Sequence, residues 1–377
     1  ISLSKNKPNI SFYGKKEDLE EIQKDINELG FNSRIIFRER NHKIKTKYGI
    51  KEFRAKNYEL YCKSKKLALI FRDLGMVFGK KTNQKFLIPK WIVNGEDYIK
   101  RLFLSGFFGA ELSSPKTHTK TGFYSPILSQ NKDLKLEENI RQFLLQITEI
   151  LNHFNIKVNK ISKDKEVSSY RFRLIISAEE DNLLNLYTKI GFEYNKKRQI
   201  LADIASLYIL KKKKIQNERK EIAQKIKEYK SKGFKLREIS NLFLDKVNQR
   251  FVERHYYENC NQRINLDFIS FNQFKEQKLE EYNQFGCIFD DIEYIRNLKI
   301  KEKVYDFNIE ENHNFIANGF IVSNCGVRVL QSNIKIDDFL KKRTEILNAL
   351  YRNIPSGVGG KAKIRLDKNI LKEVCET

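Results

Sequence analysis

Two places in this 377-residue chain carry residue types that could break a bond. The first is Asn324-Cys325, which follows Ser323. An asparagine side-chain amide can attack its own backbone carbonyl, close a five-membered succinimide and cut the peptide bond that follows. The step is slow in a free peptide, so a fold must hold the amide in attacking geometry and polarise the carbonyl. The next residue is a thiol, whose thiolate attacks an ester readily. The second place is Leu104 to Leu112, LSGFFGAEL. Small residues at 105, 106, 109 and 110 let helix backbones approach closely, Leu104, Phe107 and Phe108 fill the flanks, and the run ends in the carboxylate Glu111. Paired carboxylates over a phosphodiester can hold a divalent metal that activates water and stabilises the leaving oxygen. Mg²⁺ suits such an all-oxygen site.

The elements around these residues repeat. Leu74-Gly-Met-Val-Phe-Gly-Lys-Lys81 parallels Ile190-Gly-Phe-Glu-Tyr-Asn-Lys-Lys197. Each is preceded by a strand-like run, Tyr58 to Ser64 and Tyr170 to Ser177, and an apolar helical run, Leu67 to Leu74 and Leu183 to Ile190. Further upstream, Glu17 to Leu29 and Glu138 to Phe154 have helical spacing, and strands begin at Ser33 and Asn155. Each unit reads strand pair, helix, strand pair, helix. A period near 115 residues implies two pseudo-symmetric halves rather than a solenoid. The second half opens with a helix, Tyr98 to Leu112; symmetry places its counterpart before Ile1. Downstream, Lys211 to Lys214 closes the second half, Asn217 to Lys230 reads as a helix ended by Gly233, and Leu236–Ser240 and Val247–Tyr257 read as two more. Val304 to Ile309 and Phe315 to Val322 read as strands about a polar turn, with Asn318-Gly319 as a tight turn or bulge.

Three stretches resemble known families. Leu104 to Leu112 resembles the LAGLIDADG motif of DOD-type homing endonucleases, with Gly109 in place of the usual acid, Glu111 in place of Asp and Leu112 in place of Gly. The resemblance implies that Glu111 is a metal-binding acid for cleaving double-stranded DNA with Mg²⁺, beside basic residues. The repeat offers Lys80 or Lys81 and Lys196 or Lys197 for that role; we carry forward Lys81 and Lys197, with solvated surface lysines as the alternative. DNA would lie across strands whose alternation presents Arg on one face, as in Arg171-Phe-Arg173 and Arg34 to Arg40. Val304 to Asn324 resembles the C-terminal blocks of an intein. That implies that His313 assists cyclisation of Asn324, that Asp306 steers the N-terminal junction and the thiol, and that Cys325 is the nucleophile of the preceding transesterification. Ser323 stands where inteins usually carry His. Residues 325 to 377 begin like an RtcB-type RNA ligase, in Cys325-Gly-Val-Arg-Val329 and Leu350 to Gly359. By that resemblance Cys325 also becomes a metal ligand of a spliced enzyme that uses Mn²⁺ and GTP to join RNA ends.

The chain is thus expected to be α+β. Residues 1–97 and 98–212 form two endonuclease halves, each αββαββα-like, with the first helix missing. Residues 213–265 form a basic helical insert, 266–324 part of a β-rich Hint splicing segment, and 325–377 the start of a ligase. The insert resembles the small helix-turn-helix of some archaeal inteins and offers DNA contact through Arg250, Arg254 and His255; a packing linker is the equal alternative, and His255 is expected to be structural rather than a ligand. Without the first splice junction the chain is expected to cleave at Asn324 at most, and without the partner acid to be a poor nuclease. A nuclease-dead DNA-binding relic and a plain RNA ligase with a structural insertion are the rival readings.

The bulk properties agree. Lys plus Arg is 72 against 48 Asp plus Glu, a net charge of +24, which points to a polyanion partner or else to a Lys-biased composition. The five Cys form no CxxC pair, so neither a zinc ribbon nor a disulfide framework is indicated. No long apolar run suggests a membrane span and no signal peptide opens the chain, so a cytoplasmic location is expected.

Overall fold

The computed structural model describes residues 9–46, 49–77, 79, 81–165, 169–258, 268–290, 296, 314–317, 320–323 and 340–346. It divides into two units, 1–291 and 292–377.

The first unit contains the repeat. Strand β1 (Ile10–Gly14) leads into helix α1 (Lys16–Glu28), the hairpin β2 (Arg34–Thr46) and β3 (Gly49–Cys62), and helix α2 (Lys65–Asp73). After a short helix α3 (Lys90–Val93), α4 (Asp97–Glu111) opens the second half. There follow β4 (Ile127–Asp133), α5 (Glu137–His153), the hairpin β5 (Val158–Lys165) and β6 (Ser169–Ile176), and α6 (Glu180–Asn185), which continues as a π turn to Ile190. The sheets have the same antiparallel order, β1-β3-β2 and β4-β6-β5. The expected leading strand pair is a single strand in each half; around β4 the only additions among the described residues are the bridges Leu112↔Leu128 and Thr117↔Phe123.

Core formation follows the apolar spacing. Ile140, Phe143, Leu144, Ile147, Ile150 and Leu151 recur at three- and four-residue intervals on α5 and are all buried. They meet Phe172, Leu174 and Ile176, the inward parity of β6. A smaller core joins Leu19 and Ile26 of α1 to Ile10, Leu60 and Leu67. The repeated apolar-Gly signature also has a physical cause. Gly75 and Gly191 adopt φ of +103° and +71°, ending helical segments in the left-handed region that penalises a Cβ.

Two expectations need correction. The run Lys211 to Lys214 does not close an element: α7 is continuous over Lys196–Ser231, 36 residues. Lysine is a good helix former, and both flanks are anchored, Ile204 and Tyr208 in the main core and Ile222 and Ile226 in a third core with α8 (Leu236–Leu242) and α9 (Gln249–Tyr257). Second, the span expected to be β-rich from 266 opens on helix α10 (Phe271–Phe285). Ser270 and Gln273 form a capping box there, and Phe271 and Phe274 pack on Tyr208. His255, read as structural, is 4% exposed, 4.0 Å from the Phe251 ring centroid, with Nδ1 2.8 Å from the Phe251 carbonyl oxygen. It packs the insert, whereas Arg250 and Arg254 are exposed.

The second unit contains, among its described residues, a hairpin of β7 (Asn314–Ala317) and β8 (Phe320–Ser323). Its register runs from Asn314↔Ser323 to Ala317↔Phe320. The expected strand over 315–322 is therefore two antiparallel strands, and Asn318-Gly319, read as a tight turn or bulge, lies outside the described residues. Asp306, His313, Asn324 and Cys325 lie outside the described residues, as does Lys80.

Candidate nuclease site

Helix α4 delivers Glu111 as its last residue. Its small residues divide between two faces. Ser105 and Gly109 are buried against the segment 193–198, whereas Gly106 has nothing within 4 Å of where a Cβ would lie and Ala110 is exposed. The Glu193 amide donates to the Ser105 carbonyl at 3.2 Å and to its hydroxyl at 2.9 Å. Asn195 Nδ2 donates to the Gly109 carbonyl at 2.8 Å, while Asn195 Oδ1 caps α7 by accepting the Arg198 amide. Arg198 Nη1 donates to the Phe108 and Gly109 carbonyls at 3.1 and 2.7 Å. These carbonyls belong to the last turn of α4, where that of Phe108 also accepts the Leu112 amide at 3.1 Å; the Gly109 carbonyl takes its donors from Asn195 and Arg198, and a cation there suits the negative end of the helix dipole.

Around Glu111 the charges are arranged by three segments. Lys81, in a single turn of 3₁₀ helix, places Nζ 2.9 Å from Glu111 Oε1. Burial pulls the Arg198 guanidinium's pKa down, opposed by the charges of Glu111 and Asp18; it stays protonated at neutral pH. Lys197 sits exposed on the first turn of α7, and no contact between it and Glu111 occurs among the described residues. The backbone amide of Lys196 donates to Asp18 Oδ1 at 3.0 Å, tying the same segment to α1. Sequence symmetry therefore finds Lys81 but passes over Arg198, whose counterpart in the first half is Thr82. It also passes over Lys132, which is 1% exposed on the inward parity of β4, with Nζ 2.6 Å from the Lys81 carbonyl oxygen and also bonded to the Gln84 carbonyl. The strand's alternation, Leu128, Gln130, Lys132, carried that signal.

The open face of each sheet presents the expected arginines. On β2, Arg34, Arg38 and Arg40 share a face, opposite Tyr61, Asn57 and Ala55 of β3. Arg38 Nε donates at 2.8 Å to Glu59, which is 4% exposed. Burial alone would raise the Glu59 pKa, but hydrogen bonds from Ser11, Tyr13 and Arg38 and the Arg38 charge together hold it below the usual carboxylate value. On β6, Arg171 and Arg173 alternate with buried Phe172 and Leu174. Among the described residues no group of three or more His, Cys, Asp or Glu side chains could hold a metal, and no helix is long and apolar enough to cross a membrane. One carboxylate fits the chemistry of Mg²⁺ on a nucleic acid, where phosphate oxygens and water complete the shell.

No family model matches the chain. It is 37% identical, over 95% of its length, to 36% of the tRNA-splicing ligase RtcB of Pyrococcus furiosus. It is 28% identical over 86% of its length to 21% of the DNA-directed RNA polymerase subunit Rpo1N of Methanocaldococcus jannaschii. It is also 28% identical over 87% of its length to 18% of the replication factor C small subunit of the same organism. The chain thus spans little more than a third of the ligase it matches. Among solved structures it is similar to the homing endonuclease I-DmoI in complex with DNA and Ca, at 17% identity and a TM-score of 0.30, over 50% of this chain and 78% of that one.

Proposed function

We propose that the chain up to Asn324 is the larger part of an intein carrying a LAGLIDADG-type homing endonuclease, and that an RtcB-type RNA ligase resumes at Cys325. One observation carries this reading: a ligase, an RNA polymerase subunit and a replication factor subunit share one long stretch with this chain. Proteins with such different names have no common chemistry that would require it, whereas a mobile insert found in each would. Residues 1–324 are 324/377, or 86%, of the chain. The polymerase and replication matches cover 86% and 87%, and the ligase match extends to 95%. The added share is what a ligase-specific segment after Cys325 would contribute.

In the nuclease, Glu111 would hold Mg²⁺ with phosphate oxygens and water, and the bound metal would supply Lewis acidity at the phosphate. Lys81 and Arg198 would offset the anionic charge, with Lys197 reaching the backbone of double-stranded DNA from the first turn of α7. The arginines of β2 and β6 would meet phosphates or base edges in a groove. In the splicing part, the thiolate of Cys325 would attack the ester or thioester joining the upstream segment and take over that acyl group. The Asn324 side-chain nitrogen would then attack its own carbonyl carbon, the Asn324–Cys325 bond would break, and the departing amine would take the proton; the freed Cys325 amine would next take the acyl group from its own sulfur, forming the peptide bond and returning the thiol. By family resemblance His313 assists this step and Asp306 steers the earlier ones. The spliced ligase would join RNA ends with Mn²⁺ and GTP, using Cys325 as a metal ligand.

A second reading, a nuclease-dead DNA-binding relic in the same host, is favoured by the Lys81–Glu111 ion pair, in which the lysine already engages one carboxylate oxygen of the acid. Mass spectrometry of the full precursor tests the principal reading. A joined ligase plus a free insert ending at Asn324 is expected, and Asn324→Ala should abolish cleavage at that bond. An intact long chain would overturn it.

A further inference from the structure

Lys132 is an unusual residue for its place. It stands on the core-facing parity of β4, beside Leu128 and Gln130, yet among the described residues its ammonium is not matched by a carboxylate. Its Nζ instead meets two backbone carbonyls, those of Lys81 and Gln84, and lies 3.9 Å from the centroid of the Phe86 ring. An ammonium has three N–H donors; two carbonyl oxygens and one ring face use all three directions. Burying such a group is costly unless each donor is used. Burial, aided by the nearby Lys81 charge, lowers its pKa to about 8. The two carbonyls belong to either end of the single 3₁₀ turn that carries Lys81, and this turn has little else of its own to fix it: Lys81, Thr82 and Asn83 include no buried residue.

We propose that Lys132 is a positioning residue: it binds the turn at 81–84 through the two carbonyls and thereby sets Lys81 against Glu111. The strand supplies rigidity and the ammonium transmits it, so the register of the site is fixed from the second-half sheet rather than from the turn's own packing. In nuclease terms, Lys132 acts through Lys81 and does not touch DNA; that extension rests on the function proposed above, whereas the positioning itself is a property of the unliganded chain.

The test separates the two. In the full 377-residue chain, acetylation of lysine amines by a water-soluble acylating reagent is followed by mass spectrometry, with exposed Lys66 as internal reference. Glu111→Gln, which removes the partner, defines Lys81 reactivity without its ion pair, expected about two- to fivefold above wild type. Lys132→Met should raise Lys81 to the same level, and Lys132→Arg, which keeps charge and donors, should recover part of the protection. If Lys132→Met does not give a cooperative melt, Lys132→Gln, with an uncharged amide able to serve one carbonyl, should give an intermediate rise. Unchanged Lys81 reactivity in a folded Lys132→Met or Lys132→Gln chain overturns the proposal. Cleavage of DNA with Mg²⁺, assayed on the same variants in the full precursor, is the separate readout. A full wild-type precursor that does not cut, while the 377-residue chain shows the reactivity pattern, defeats the nuclease reading and leaves the positioning role standing.

Discussion

A Cβ on Gly109 would fall 1.9 Å from the carbonyl oxygen of Glu193. Helix α4 and the segment before α7 are therefore in backbone contact, and the donors of Glu193, Asn195 and Arg198 converge on the same helix end that carries Glu111. The position of the acid depends on that contact, because a shift of either backbone moves the last turn of α4.

Two alanine substitutions three residues apart should thus behave oppositely. Gly109→Ala forces backbone to move and should destabilise the first unit by about 1–3 kcal/mol. Gly106→Ala meets open space and replaces a flexible residue in a helix interior, so it should be stabilising by about 0.5–1 kcal/mol. Thermal melts of the two variants check this; equal losses would mean that the face at Gly106 is already packed.

Glu59 predicts an acid-range effect. Its carboxyl pKa in the folded chain lies below the unfolded value, so it contributes stability that is present above the unfolded pKa and lost as pH falls through the folded one. Glu59→Gln should lower the melting temperature at pH 7 and flatten its decline over the region below about pH 4.5. A variant with the same decline as wild type would contradict this assignment.

The arginine faces predict a salt-sensitive interaction. Binding of a non-specific DNA duplex should weaken linearly on a log–log plot of affinity against salt. Arg38→Ala and Arg173→Ala should each reduce the slope by about 1 if each contacts one phosphate. An unchanged slope for both would place the DNA elsewhere.

Much of this architecture is legible in the residues themselves. The helices α1, α4 and α5 fall within a residue or two of their apolar spacing, and the repeat foretells two sheets of one topology. What escapes is structure without an apolar signature. The hairpin β2–β3 extends well beyond the expected Ser33–Phe37 and Tyr58–Ser64 because its outer arm, RERNHKIKT against GIKEFRAKN, is mostly charged or polar and has no continuous apolar face. There cross-strand pairs such as Lys43–Glu52 take the place of a buried stripe. Within the site, Glu111 and Lys81 are visible from motif and symmetry. Arg198 is not, and Lys132 shows only its inward parity on β4, since each acts on backbone carbonyls brought near only by folding. The residues assigned to splicing, Asp306, His313, Asn324 and Cys325, stand on their sequence context.

The uninterrupted course of α7 has a rotational consequence. Between Ile215, which packs on the main core, and Ile222 of the third core the helix runs on as a bridge, so the α8–α9 bundle is indexed to the main core by helical phase. Removing one residue from that bridge would turn the bundle by about 100° and draw it in by about 1.5 Å, whereas inserting seven would bring it back almost in phase, about 10 Å farther. Natural length variants of such chains should therefore cluster at whole numbers of turns.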